Sequence, residues 1–155
     1  GAVDPVFSNL DAVVEFVPDW GNLPRHSTPN IIYKILNFLK IYRSPAYDHK
    51  IMKYDDLVHI NLNKTKPAFK YFPGITPSWD NTPRRKSRNA HIFHDSSPGE
   101  FDIWLNKTIE DFVPYSDEEN FIFINAWNEW AEGAHLEPDV KWGRANLDVI
   151  RKYFK

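Results

Sequence analysis

Two glutamates three residues apart, Glu129 and Glu132, stand in the segment Asn125-Ala-Trp-Asn-Glu-Trp-Ala-Glu-Gly133. In a tight helical turn, side chains at that spacing share one side, so both carboxyls can reach a single ligand. Trp127 and Trp130 flank them and can exclude water. A partly dry setting sets the two members of a carboxyl pair apart as acid and base, the division of labour that glycosidic-bond chemistry uses. The plainer reading packs the two tryptophans and leaves both glutamates solvated, since paired acids near a strand end are common.

A second cluster lies in Pro73-Gly-Ile-Thr-Pro-Ser-Trp-Asp-Asn-Thr-Pro-Arg84. Here Trp79 can stack on a sugar ring, Asp80 and Asn81 can hydrogen-bond hydroxyls, and Arg84 can pair with a carboxylate or phosphate. The competing reading is an Asx-type turn, in which Asp80 or Asn81 bonds backbone amides and Arg84 pairs internally. Glu15, at the end of the first expected strand, can bind a hydroxyl or simply pair with a loop cation. Glu137 can close the pocket around a ligand, although Leu136 and Pro138 beside it read as residues that pin a loop.

These groups need elements to hold them. A β-branched run, Ala12–Phe16, reads as the first strand and is closed by Pro18 and Gly21. Apolar residues at helical spacing from Asn30 to about Tyr42 predict a helix, and Asp55 is placed to cap a second, short one running to Leu62. Ala68–Phe72 reads as a second strand, followed by a long proline-rich loop. Ser97-Pro-Gly-Glu100 has the capping-box form ahead of an apolar stripe through Phe101, Trp104, Leu105, Ile109 and Phe112. Asn120–Ala126 reads as a buried parallel strand with the acidic motif past its carboxyl end, and Gly143 precedes a last helix with Leu147, Ile150 and Phe154 on one face. The order β, α, α, β, α, β, α predicts parallel strands with right-handed crossovers, where reacting groups collect at strand carboxyl ends. Three strands cannot close a barrel. The expectation is one α/β domain over 1–155 that is part of a larger barrel, its missing half supplied by further sequence or by self-association.

Composition excludes several classes. With 155 residues, 42% hydrophobic and 26% charged, the chain can build one core and is not disordered. Net charge is −2 and the cations are interspersed, which argues against a nucleic-acid or anionic-membrane partner. The one local run, Arg84-Arg85-Lys86-Ser87-Arg88, reads first as a solvated loop. No cysteine is present, His59, His91, His94 and His135 lack a compact metal-ligand spacing, and no phosphate-cradling glycine motif occurs, so no metal or cofactor is expected. No run approaches the ~20 apolar residues of a transmembrane helix.

Pro73–Arg84, quoted above, and Asn125-Ala-Trp-Asn-Glu-Trp-Ala-Glu-Gly-Ala-His-Leu-Glu-Pro-Asp139 strongly resemble the WbsX family, also described as carrying a glycoside hydrolase family 99-like domain. Ala12-Val-Val-Glu-Phe16 and Lys53-Tyr-Asp-Asp-Leu-Val58 are similar to other segments of it, so the resemblance covers most of the chain but only the later half of the family's domain. It implies the C-terminal part of a (β/α)8 TIM-type barrel, a glycosyltransferase of bacterial lipopolysaccharide O-antigen or capsule biosynthesis, a cytoplasmic location and a sugar or oligosaccharide substrate. The alternatives are a hydrolase like the endo-α-mannosidase group, which carries a similar Asn-Glu-Trp-x-Glu-Gly motif, and a non-catalytic carbohydrate-binding half-barrel. By the resemblance, Glu129 assists attack by the sugar's own 2-hydroxyl, Glu132 is the acid/base at the leaving oxygen, and Asn128 and Trp130 bind the sugar beside them. Ala131 stands where those hydrolases carry histidine, which puts hydrolysis of the same substrate in doubt.

Overall fold

The computed structural model describes residues 9–85 and 88–154. Lys86 and Ser87 of the basic run lie outside the described residues.

Three parallel segments form the sheet that carries the acidic motif. β1 (Val13–Val14) pairs with β3 (Tyr71–Phe72), and β4 (Gly74–Ile75) pairs with β7 (Phe123–Ile124), with Val13 opposite Tyr71 and Gly74 opposite Phe123. Residues 71–75 therefore run between the first and last of these strands. Pro73 has no N–H to donate and divides the segment in two, though its carbonyl still accepts from the Phe123 amide at 2.9 Å. Gly74 is required by close approach: a Cβ there would lie 2.1 Å from the Glu15 carbonyl oxygen of the neighbouring strand. Asn125 Nδ2 reaches across to donate to the Val17 carbonyl at 2.8 Å, tying the end of β7 to the end of β1.

A second sheet was not expected. β2 (Lys50–Lys53) lies parallel to β6 (His91–His94), and β5 (Trp79–Asp80) lies antiparallel on the other edge of β6. Lys-Ile-Met-Lys and His-Ile-Phe-His carry too few apolar residues to announce strands, and the stretch read as one long loop after Pro73 in fact holds β5, a 3₁₀ turn at Thr82–Arg84, and β6.

α1 spans Ile31–Phe38, α2 Tyr54–Asn63, α3 Pro98–Asp111 and α4 Ala145–Tyr153. α3 forms as its sequence dictates: Ser97 Oγ accepts from the Glu100 amide at 3.2 Å, Pro98 opens the first turn, and Phe101, Trp104 and Leu105 are buried. α2 starts one residue before the expected cap. Lys53 is its N-cap without a side-chain bond, and Asp55 and Asp56 sit inside the first turn, where their charge favours the positive helix end. On α4 the inward residues are Val149, Ile150, Leu147 and Tyr153, while Phe154, past the helix, is exposed. Lys152 and Tyr153 both donate to Asp102 of α3.

The core gathers Met52, Tyr54, Leu57, Ile75, Trp79, Phe93, Phe101, Trp104 and Leu105 between the second sheet and α2 and α3. Tyr54 Oη donates to the Thr76 carbonyl at 2.5 Å within it. α1 is different. Asn30 caps it through the Tyr33 amide, yet none of its residues is buried and Phe38 is 84% exposed. Its apolar stripe, together with exposed Val14, Phe16 and Trp20, leaves a broad apolar surface uncovered. Among the described residues no helix is long and apolar enough to cross a membrane.

Candidate active site

The acidic motif folds into a small hairpin. β8 (Asn128–Glu129) pairs antiparallel with β9 (Ala134–His135), and a 3₁₀ turn at Trp130–Glu132 joins them. Gly133 ends that turn in the left-handed region at φ +60°, and its amide donates to the Trp130 carbonyl at 3.1 Å. A Cβ on Gly133 would lie 2.9 Å from the Asp80 nitrogen, so the hairpin tip rests directly on the backbone of β5. Ser78 Oγ donates to the Gly133 carbonyl and fastens the same contact.

Glu129 ends β8 and Glu132 ends the 3₁₀ turn, so the pair is brought together by the hairpin and not by a helical repeat. What joins them is Arg84. Its Nη2 lies 2.8 Å from Glu129 Oε1 and its Nη1 3.2 Å from Glu132 Oε1. Glu132 is the more covered, with 17% of its side chain exposed against 39% for Glu129. The arginine is aimed by its own turn: the Arg84 amide donates to the Asn81 carbonyl at 3.1 Å.

Asp80 and Asn81 build that turn instead of standing free for hydroxyls. Asp80 Oδ1 accepts from the Thr82 amide at 2.9 Å, and buried Asn81 accepts through Oδ1 from the His91 amide at 2.8 Å. Asp80 makes the Asx-type turn, whereas Asn81 bonds across to β6. Trp79, expected as a stacking platform, is only 1% exposed and meets Phe16 and Trp20 edge to face, because β5 turns it into the core. Glu15 is also committed elsewhere: Lys64 at the end of α2 and the Gly74 amide both donate to its carboxylate. Burial pulls the Lys64 ammonium down to about 8, with Glu15 lying against it.

Trp130 and Glu137 come together. The indole Nε1 donates to Glu137 Oε2 at 2.6 Å, and the ring stacks on His135 at 3.9 Å. Glu137 thus buttresses Trp130. Asn128 is exposed at the hairpin's edge. Trp127 and Trp130, expected to keep water out, are 51% and 47% exposed. Two cavities of about 390 and 400 Å³ open on the described surface, and neither is lined by Glu129, Glu132 or Arg84. Glu129 is therefore partly open to solvent and Glu132 mostly covered, with no enclosed cavity beside them among the described residues.

Sequence reasoning did not find the chain of contacts beyond His135. His135 Nε2 lies 3.0 Å from Asp139 Oδ2, and Asp139 Oδ1 accepts from the Trp142 amide at 2.5 Å. Burial alone would raise the Asp139 carboxyl; the Trp142 and Lys141 amides and His135 overcome it and hold Asp139 below the usual carboxylate range. A His and an Asp four apart in a loop carry no signal in the sequence. Among the described residues no group of three or more His, Asp or Glu side chains is arranged to hold a metal ion.

An α/β chain with parallel strands and a carboxylate pair past a strand's carboxyl end is the class that this geometry defines. Residues 1–150 match the family model described as Glycosyltransferase WbsX, and the chain belongs to that family of carbohydrate-active enzymes. It is 32% identical over 150 residues to the proteins named "Uncharacterized protein WxcX" from two strains of Xanthomonas campestris pv. campestris, a match covering 96% of this chain. The chain spans 20% of the length of those relatives. No solved structure matches it.

Proposed function

We propose that the chain is the carboxyl-terminal part of a (β/α)8 domain that transfers sugar units in bacterial O-antigen or capsule synthesis, with Glu129 and Glu132 as its reacting carboxylates. The observation that carries this is the single guanidinium of Arg84 joined to both carboxylates past β7 in a member of the WbsX family. Two acids that share one cation stand close enough to act on one sugar.

In this reading Glu132, the more covered of the two, exchanges the proton at the leaving oxygen, and Glu129 accepts the proton of the attacking hydroxyl. Arg84 has a second use. A guanidinium takes a carboxylate or phosphate bidentately, so an anionic donor that draws Arg84 onto itself frees the carboxylates for the sugar. Ala131, in the position where the hydrolase-like motif has histidine, argues against hydrolysis of the substrate that those hydrolases take. The uncovered apolar surface of α1, Val14 and Phe16 supports further β/α units packing on this part of the domain.

The test is incubation of the full-length enzyme with nucleotide sugars and oligosaccharide acceptors, with products read by mass. Extended glycan is expected from the parent, and loss of turnover with retained ligand binding from Glu129→Gln and from Glu132→Gln. Undiminished turnover in both variants overturns the assignment, and free sugar as the sole product overturns transfer.

A further inference from the structure

Trp20 stands in the loop that follows β1, and its surroundings fix the indole while leaving it open. Asp19 Oδ1 accepts from the Gly21 amide at 2.8 Å and the Asn22 amide donates to the Asp19 carbonyl at 3.0 Å, so the residues around Trp20 form a closed turn. The ring meets the buried Trp79 edge to face, centres 5.4 Å apart, and tilts against His91 at 4.9 Å. It is nevertheless 47% exposed. An indole already held by two ring neighbours gives up little freedom when a ligand covers its open side, so it is preorganised for contact.

Its place in the fold is that of a ligand-facing residue. β1 and β7 both run parallel to residues 71–75, so their carboxyl ends point the same way, and that is the end at which parallel α/β proteins bind ligands. The Trp20 loop leaves one of these ends and the acidic hairpin leaves the other, and Asn125 Nδ2 ties the two exits through the Val17 carbonyl at 2.8 Å. β5 supports both: Trp79 backs the Trp20 ring, and the next residue, Asp80, carries Gly133 of the hairpin. His91 supplies a second link, because its amide donates to Asn81, whose carbonyl holds the Arg84 amide.

The chemistry follows from what stands beside the indole. Trp20 and Asp19 line the carboxyl-end part of the 400 Å³ cavity that runs along β1, past Val14 and Phe16. A sugar ring has an apolar C–H face and a rim of hydroxyls, so it can cover the indole and donate a hydroxyl to the carboxylate at once. Asp19 gives Oδ1 to the Gly21 amide, and a carboxylate has further acceptor sites on Oδ2. Lys64, the cation of this cavity, lies against Glu15, so the negative charge of Asp19 prevails and disfavours phosphate and other anions. We infer that Trp20 is a carbohydrate platform, on which one neutral sugar ring stacks and bonds a hydroxyl to Asp19 while another residue of the same glycan lies at Glu129 and Glu132. That second placement rests on the function proposed above; the platform itself does not. Trp20 thereby takes the role that the sequence offered to Trp79, and Trp79 becomes its support.

The test uses the full-length enzyme with fluorotryptophan in place of tryptophan, titrated with the α- and β-methyl glycosides of glucose, galactose and mannose and followed by fluorine NMR. The Trp20 signal is identified by its loss in Trp20→Phe. At least one glycoside is expected to shift that signal. By calorimetry, Trp20→Ala is expected to weaken binding of the same glycoside about tenfold, and Trp20→Phe, which keeps an aromatic face, to hold it within about threefold of the parent. The inference is overturned if no glycoside moves the Trp20 signal in the parent, a result that needs no variant to fold. It is also overturned if Trp20→Ala binds undiminished, or if inorganic phosphate or uridine moves the signal in place of the sugars. The two readings fail separately. Undiminished turnover in Glu129→Gln and Glu132→Gln removes the catalytic assignment and leaves a shifted Trp20 signal standing, whereas an unmoved Trp20 signal in an enzyme whose glutamate variants lose turnover removes the platform alone.

Discussion

Gly133 and Gly143 share a backbone conformation, φ +60° and +55°, but differ in what surrounds them, and the difference isolates the contact that seats the acidic hairpin. An alanine at Gly143 meets nothing within 4 Å, so Gly143→Ala carries only the left-handed penalty of an L-residue, about 1–2 kcal/mol. An alanine at Gly133 carries the same penalty and also drives its Cβ to 2.9 Å from the Asp80 nitrogen and 3.1 Å from its carbonyl oxygen. Both are backbone atoms of a paired strand and cannot rotate away. Overpacking of that kind adds about 1–3 kcal/mol, so Gly133→Ala is expected to lose about 3 kcal/mol in all. For a domain of this size that lowers Tm by about 6–12 °C. Urea unfolding of the two variants side by side measures the contact directly as their difference. The loss has a functional counterpart, because lifting the hairpin off β5 also parts Glu129 and Glu132 from Arg84. Equal losses for the two alanine variants, within about 0.5 kcal/mol, would refute the reasoning, since they would mean the hairpin does not rest on Asp80.

Three further outcomes are expected. Ser97→Ala removes the side-chain acceptor of the Glu100 amide and should cost about 1 kcal/mol in urea unfolding, with Ser97→Asp restoring most of it. The folded chain releases the Lys64 proton near pH 8 and the unfolded chain near 10.5, so between those values the unfolded state holds more protons and this group's contribution to stability rises with pH. The parent should therefore gain about 1–2 kcal/mol on Lys64→Met across that window, a figure reduced for partial exposure, and a pH-independent difference would contradict the burial of Lys64. Because α1 buries no residue, Phe38→Glu should change stability by less than about 0.5 kcal/mol while reducing any self-association seen by analytical ultracentrifugation. A large loss of stability there would show that α1 is packed in solution.

The elements that the sequence announced are those with a strong local pattern, whether the tertiary structure covers them, as for α3, or leaves them exposed, as for α1. Ser97-Pro-Gly-Glu100 starts α3 where it should, since capping is a contest among neighbouring residues that distant contacts need not decide. The runs 12–16 and 120–126 contain β1 and β7 because β-branched and aromatic residues favour strands, but the burial on both faces expected of the second run is not found: Phe121 and Phe123, like Val14 in the first, are about half exposed. The second sheet was illegible for the opposite reason. Lys50–Lys53 and His91–His94 take strand form from each other's backbone groups, and polar side chains at their ends conceal the buried Met52 and Phe93.

At the site, residue types and spacing marked out Glu129 and Glu132 as a pair able to share one side, and offered Asp80 to Arg84 either as a turn or as sugar-binding groups. Only the tertiary structure decided how they are used. It turned Trp79 into the core, assigned the Asp80 and Asn81 oxygens to backbone amides, gave Glu15 to Lys64, and brought Arg84 across 45 residues of chain onto Glu129. Spacing along a chain fixes which neighbours share a face, because 3₁₀ and helical turns repeat by local geometry. Which distant partner then satisfies each polar group is settled by how sheets and turns pack, and no local pattern carries that information.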